Sequence, residues 1–254
     1  ERLATDQEVL GSNPSRRKKL TMNDFKSISL MFPLYKDSGT VRKMIKNSLK
    51  VLKKVKKKYE IIIVDDGCPE SSGKLAKNIS KNIANVRVIF HKKNLGYGAA
   101  LKTGIKNCKN QWIFQIDGDA EYDVKDLPKL IKSSRNTDLV ITYRFKKKYN
   151  TMRIIISWVY NKLLRLLFRT NFKDISTGSR LVKRSIFKRI KLRTNSPFLG
   201  AELAIKAKIY GFRVNEIGIH TYPRTFGSGS SVGLKNIMLT IKDMLILYFT
   251  LIFK

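Results

Sequence analysis

Four carboxylates, Asp117, Asp119, Glu121 and Asp123, fall within seven residues of a chain that carries 52 Lys and Arg against 19 Asp and Glu. Like charges this close repel, so the segment "QWIFQIDGDAEYD" is built to meet something positive. Asp117 and Asp119, on either side of Gly118, can offer oxygens to one hard cation. Mg²⁺ or Mn²⁺ takes octahedral oxygen ligands and keeps waters or substrate phosphates in its shell, so few protein ligands suffice. Such a metal neutralises charge on a departing phosphate. The competing reading of a bare Asp-x-Asp is a solvated Asp-Gly turn. Position favours the metal, because the cluster directly follows an apolar run in an acid-poor chain.

Other motifs are weaker. Asp65-Asp66 closes the apolar run "EIIIV" and precedes Gly67, a turn signal. "NLGYGAALKTGI" sets Gly96 and Gly98 ahead of a helical pattern, where helix-start amides could face a pyrophosphate. Leu101 stands where a dinucleotide fingerprint needs its third glycine, so a tight turn with close helix–sheet packing competes. His91 and His220 lack metal-ligand or triad spacing and read as structural. No Ser or Cys occupies a nucleophile elbow, and Gly178-Ser179-Arg180 is not one.

The elements that must position these groups alternate. "SISLMFPLY" (27–35), "EIIIV" (60–64), "VRVIF" (86–90), "QWIFQI" (111–116) and "DLVITY" (138–143) read as buried strands. Between them lie helical patterns: Val41, Ile45, Leu49, Leu52 and Val55 with lysines opposite, then 71–83, "GYGAALKTGIKNC" and "KDLPKLIKSS". This order predicts an α/β fold with a mostly parallel sheet. Ligands of such sheets bind beyond the carboxyl ends of the strands, which puts Asp65-Asp66 and Asp117–Glu121 on one rim. After residue 150 the pattern changes. A helix over 152–168 is apolar around most of its circumference, with basic residues interspersed. "DISTGSR" (174–180) reads as a loop, "GAELAIKAKIYGF" as a helix and "RVNEIGIHTY" as strand-like. Arg224 introduces the loop "RTFGSGSSVG", and 234–253 forms a last amphipathic to apolar helix.

At 254 residues, one or two domains can form, with a sizeable core. The net charge of +33 implies an anionic partner, whether nucleic acid, an acidic membrane surface or phosphorylated substrates, unless it is only a lysine-rich coat. Cys68 and Cys108 make no disulfide framework and lack zinc spacing, so a reducing compartment is expected. Residues 1–24 read as a disordered or extraneous arm with no signal-peptide pattern, and Met22 is a candidate natural start. No apolar run reaches the roughly 18–20 residues of a membrane span; "MLILYFTLIFK" comes nearest.

Together the motifs resemble the family-2 glycosyltransferases of the GT-A fold, and within them the polyprenyl-phosphate sugar synthases of the dolichol-phosphate mannose synthase type. The likeness runs from about residue 27 to 245. It is carried by "FPLYKDSGTV", "IIIVDDGCPESS", "NLGYGAALKTGI", "QIDGDAEYDVKDLPKLI", "YRFKKKYNTMRIIIS", "DISTGSRLVKR" and "RTFGSGSS". It implies a GT-A Rossmann-like sandwich over 25–232 and a membrane-associating helix over 233–254. It implies a nucleotide pocket lined by Pro33, Tyr35 and Gly96, with Asp65 or Asp66 accepting from the base. Asp117 and Asp119 hold metal and diphosphate, and Glu121 stands where the family has Gln to complete the metal shell. Arg144 and Arg153 match residues that meet phosphates. Arg224, with Ser230, resembles a stretch that closes over the diphosphate; the family lysine is missing there, and Lys235 is the nearest substitute.

The reaction implied is inverting transfer from a UDP- or GDP-sugar, with Mg²⁺ or Mn²⁺, to polyprenyl phosphate at the cytoplasmic face of an anionic membrane. A lipid phosphate is already largely anionic near neutral pH, so no general base is required. A saccharide or glycolipid hydroxyl acceptor would need one, and Glu202 is the candidate, with a plain helix-surface acid as its competing reading. A nucleic-acid module is suggested by charge alone, is not the expected partner class, and leaves the paired acid clusters unexplained. A scaffold with a decayed site conflicts with the intact Asp117-x-Asp119.

Overall fold

The computed structural model describes residues 25–145, 151–224, 226 and 233–252, apart from the side chains of Thr151 and Arg153. The expected N-terminal arm, Ser230 and the Arg153 side chain therefore lie outside the described residues.

The strands and helices alternate as β1 (Ser27–Leu34), α1 (Ser38–Val55), β2 (Lys58–Asp65), α2 (Ser72–Ser80), β3 (Val86–Phe90), α3 (Tyr97–Asn107) and β4 (Trp112–Gln115). A 3₁₀ turn at Val124–Asp126 then leads into α4 (Leu127–Ser133) and β5 (Leu139–Arg144). They are followed by α5 (Thr151–Phe168), β6 (Arg180–Lys183), α6 (Leu199–Ile209), β7 (Val214–Ile219) and α7 (Leu234–Ile252). The strands form one seven-stranded sheet in the order β3-β2-β1-β4-β6-β5-β7. All neighbours are parallel except β6, which runs antiparallel to both β4 and β5.

Period-two alternation divides the core into two layers. Ile28, Leu30, Phe32 and Leu34 of β1 point to the side that packs Val41, Met44, Ile45 and Leu52 of α1. Met31, Ile62, Val64 and Ile113 point to the other side, where they meet α3, α6 and the inner faces of α5 and α7. Strands covered on both faces become continuous apolar runs, which is why "LMF" and "IIIV" carry no alternation.

One expectation changes. "DISTGSR" does not simply loop: its last residue, Arg180, opens β6, paired with Gln115 and Ile141. Four residues with a basic residue at each end give no strand pattern, and the strand exists because two neighbours supply its ladder. The lysine-rich face of α1 lies on the opposite side of the sheet from α5 and α7. The basic surplus thus cannot all meet one flat surface together with those two helices.

The chain runs outward from β1 to β2 and β3, then returns to β4 on the other side of β1. This is a topological switch point, where an open sheet leaves a crevice beyond its carboxyl ends. Leu34 and Gln115 close β1 and β4 there. Because β6 is antiparallel, its first residue, Arg180, comes to the same rim.

Candidate functional site

The site is assembled from three turns. The first joins β1 to α1. Asp37 precedes α1 as a helix-capping residue would, yet its carboxylate makes no cap bond. Oδ2 instead accepts from the Tyr35 amide at 3.1 Å, and Oδ1 faces Arg224 Nη2 at 3.2 Å. Thr40 Oγ1 donates to the Gly118 carbonyl at 2.7 Å, tying this turn to the second, the Asp117–Glu121 turn. Gly118 is required there, because a Cβ would strike the carbonyl of Pro33. Ala120 adopts a positive φ of 59°, and the Glu121 amide donates to Asp119 Oδ1 at 3.0 Å. The third turn, 174–180, presses Gly178 so tightly on Asp117 that a side chain would overlap the carboxylate.

Tyr97 at the start of α3 donates its hydroxyl to Asp117 Oδ1 at 2.6 Å. Arg224 Nη2 lies 3.4 Å from Asp119 Oδ2. The segment carrying Arg224 is fixed at both ends: the Tyr222 amide donates to the Glu121 carbonyl at 2.9 Å, and the Phe226 ring sits on Gly39. Asp37, Asp117, Asp119, Glu121 and Arg224 are thereby brought together.

Burial is the main force on the acids. It raises the Asp117 pKa to about 6, against the Tyr97 hydrogen bond and the charge of Arg180, with Glu121 and Asp37 adding repulsion. It raises Asp119 to about 7, with Asp117 and Glu121 repelling and the Glu121 amide and Arg224 opposing. Two hard-oxygen donors that resist ionising together suit a divalent cation, whose charge removes the repulsion. Among the described residues no three His, Cys, Asp or Glu side chains converge as a ligand group. The expected trio of Asp117, Asp119 and Glu121 is therefore not a preformed cage. Asp117 and Asp119 are hard-oxygen donors that could hold Mg²⁺ or Mn²⁺ only as partial ligands.

The residues expected to line a nucleotide pocket lie near the same rim. Pro33 is buried near the end of β1 and Tyr35 follows it. Asp65 and Asp66 are both buried, and backbone donors take their oxygens. Asp65 accepts from the Cys68 amide at 2.7 Å and the Gly73 amide at 2.6 Å. Asp66 accepts from the Leu95 and Gly96 amides, each at 2.9 Å, and pairs with His91 Nδ1 at 2.7 Å. They shape the loops that border the crevice, and His91 is structural, bridging Asp66 and Thr103. Gly96 needs its φ of 95°. Its neighbour Gly98 gives its amide to the Asn195 carbonyl at 2.9 Å. That amide is spent on the protein, so the glycines serve close packing and the dinucleotide reading falls.

Two other expectations meet crowded surroundings. Glu202 is buried, accepting from the Arg193 and Thr194 amides, the Thr194 hydroxyl and Lys206 Nζ at 2.5 Å. Burial works to raise its pKa, but the Lys206 bond and the two amides outweigh it and the net shift is downward. A carboxylate so saturated is a poor general base, and the base role is corrected to a structural one. Arg144, expected at phosphates, is held by Asp174 at 2.7 and 3.0 Å and by Ser176 at 2.7 Å, with 6% of its side chain exposed. Lys235 is exposed in the first turn of α7.

Two site residues escaped sequence reasoning. Asp37 looked like an ordinary residue before a helix. Arg180 looked like part of a loop, and only the antiparallel strand brings it to the rim.

The sequence model described as "Glycosyl transferase family 2" matches residues 29–191. The chain belongs to that family. It is a glycosyltransferase, as its relatives also indicate. Dodecaprenyl-phosphate galacturonate synthase of Rhizobium johnstonii is 25% identical over 232 residues, covering 89% of this chain and 68% of the relative. Undecaprenyl-phosphate 4-deoxy-4-formamido-L-arabinose transferase of Salmonella choleraesuis is 25% identical over 218 residues, covering 84% of this chain. The transferase spans 65% of that relative, slightly under two thirds of its length. Both names match the polyprenyl-phosphate branch that the motifs resemble. The fold is shared with glucosyl-3-phosphoglycerate synthase of Mycobacterium tuberculosis, solved with Mn²⁺, UDP and phosphoglyceric acid. The TM-score is 0.71 at 14% identity, over 92% of this chain and 84% of that one. The same enzyme with Mg²⁺ and UDP gives a TM-score of 0.69.

Proposed function

We propose that this transferase moves a sugar, with inversion, from a nucleoside-diphosphate donor to a polyprenyl phosphate at the cytoplasmic membrane face, in a divalent-metal-dependent reaction. The observation that carries it is the half-buried Asp117/Asp119 pair at the switch point, with Arg224 in contact with Asp119. The names of its relatives support the lipid acceptor, and the Mn²⁺, Mg²⁺ and UDP bound in its structural neighbours support the metal and a UDP donor.

Bound at Asp117 and Asp119, Mg²⁺ or Mn²⁺ would neutralise charge gathering on the departing diphosphate. Arg224, anchored through Asp37, supplies a second positive charge beside the same phosphates. Pro33, Tyr35 and the loops held by Asp65 and Asp66 enclose the nucleoside, with Arg153, Ser230 and Lys235 as further phosphate contacts. An oxygen of the acceptor phosphate attacks the anomeric carbon, the bond from that carbon to the diphosphate oxygen breaks, and the electron pair leaves with the nucleoside diphosphate. No proton has to be removed from an ionised phosphate oxygen, which suits a site whose one suspected base, Glu202, is engaged elsewhere.

Membrane association rests on the outer faces of α5 and α7. Trp158 is 55% exposed, and Met152, Ile155, Leu245, Ile246 and Phe249 are exposed with it. Apolar and basic residues share α5, as in interfacial helices. No helix among the described residues is long and apolar enough to cross a membrane.

The test is transfer of labelled sugar from a panel of UDP- and GDP-sugars to undecaprenyl phosphate, with unphosphorylated undecaprenol as the control. Product from the phosphate alone, with Mn²⁺ or Mg²⁺ present, supports the reading. Equal transfer to the free alcohol or to a saccharide overturns the acceptor assignment.

A further inference from the structure

Arg180 is a buried cation that makes no direct salt bridge among the described residues. It is 3% exposed. Its Nη2 donates to the Thr177 carbonyl, while Nε and Nη1 find no hydrogen-bond partner among the described residues. The guanidinium packs against Gly200 in the first turn of α6, where a Cβ would collide with it. A helix N-terminus carries partial positive charge and disfavours a cation. Burial, missing hydrogen bonds and this helix end all make the placement unfavourable for stability, so a purely structural purpose would be better served by an apolar residue.

The surroundings supply a reason. Arg180 opens β6 beside the carboxyl end of β4, two residues after the Gly178 that abuts the Asp117 carboxylate. Asp117, Asp119, Glu121 and Asp37 crowd this end of the sheet, and the other arginine on them, Arg224, comes from the segment above. Arg180 is built into the sheet, whereas Arg224 is 20% exposed at its side chain.

We propose that Arg180 is a positioning residue for the transfer. It is the fixed counter-charge behind Asp117 that keeps this carboxylate facing the metal–diphosphate while Arg224 engages substrate. It acts through Asp117 and touches no reacting atom. The inference rests on the metal-dependent transferase reading above, and on the cost of burying a cation whose Nε and Nη1 make no hydrogen bond among the described residues.

The test compares wild type with Arg180→Met, an apolar residue of similar reach, and Arg180→Lys. The readouts are melting temperature and calorimetric affinity for UDP, with and without Mn²⁺. Outer-shell partners of metal ligands are worth about 10–100-fold in affinity or activity, and Arg180→Met should lose that much Mn²⁺-dependent UDP affinity. Its melting temperature should stay level or rise. Arg180→Lys should recover part of the affinity. A melting temperature that falls with unchanged Mn²⁺-dependent affinity would make Arg180 merely structural and overturn the proposal. Wild type that binds UDP equally with and without Mn²⁺ would instead defeat the metal-dependent reading on which it rests.

Discussion

Arg224 joins Asp37 and Asp119, with Nη2 3.2 Å from Oδ1 of the first and 3.4 Å from Oδ2 of the second. One guanidinium thus connects the β1–α1 turn to the carboxylate turn. A cation arriving at Asp119 meets a positive group already in contact with it. Arg224→Ala should therefore leave binding of Mn²⁺ alone unchanged or tighter. Its turnover should fall about 100–1,000-fold, the usual loss when one preorganised donor to a transition-state anion is removed. Steady-state kinetics and metal titration on the same protein check both halves.

Asp37 should behave as a partner of Arg224 rather than as a helix cap. Asp37→Asn keeps an acceptor for the Tyr35 amide but removes the charge that holds Arg224. The expected outcome is a small change in melting temperature with a clear fall in kcat. A double-mutant cycle with Arg224→Ala should be far from additive, because the two residues act as a unit.

Acidity gives a signed prediction for the pair Asp117 and Asp119. Their carboxyls are raised from the ordinary aspartate value of 3.8 to about 6 and about 7, chiefly by burial. A raised acid pKa means that the folded state binds protons more readily than the unfolded chain. The pair thus lowers stability as pH climbs from about 4 to about 7. A bound divalent cation replaces those protons. The rise in melting temperature on adding Mn²⁺ should be larger at pH 8 than at pH 5.5, and thermal scans at the two values read it. Equal shifts would detach the metal from these carboxylates.

Glu202 should prove a stability residue. Removing one partner of a buried, hydrogen-bonded charge pair typically costs about 3–5 kcal/mol. Glu202→Ala should lower the unfolding free energy by that order. Where the protein remains folded, kcat should stay within a few-fold of wild type. Because its pKa is depressed, the stabilisation is complete above the ordinary glutamate value of 4.5 and fades as pH falls through the folded value. Chemical denaturation at pH 7 and at pH 4 follows that loss.

The outer faces of α5 and α7 invite a direct probe. Trp158→Glu or Ile246→Glu, on surfaces already exposed, should leave the fold intact and weaken sedimentation with anionic phospholipid vesicles. Unchanged vesicle binding would remove these helices from the membrane contact.

The parts of this fold that one sequence window decides were legible before any coordinates. Buried strands such as "EIIIV" and the carboxylate turn after "QWIFQ" announce themselves by apolar runs that stop at acids. Their common rim follows from strand–helix alternation alone. What stayed hidden depends on partners distant in sequence. β6 is four residues long, and its pairing with β4 and β5 decides its existence. Arg180 reaches the rim only because that strand runs backwards. Asp37 has the type and place of a helix cap, and 187 residues separate it from the arginine that claims it. Glu202 reads as a surface acid because nothing local shows the 193–194 loop folding over it. The glycines Gly96 and Gly98 look like a phosphate cradle until Asn195 takes the amide.

The central claim is that Asp117 and Asp119 hold a nucleoside diphosphate through a divalent cation. Calorimetric titration of UDP and GDP, with and without Mn²⁺, on wild type and Asp119→Ala tests it most directly. The account predicts nucleotide binding that requires Mn²⁺ in the wild type and disappears in the variant. Binding that ignores the metal, or that survives Asp119→Ala undiminished, would contradict it.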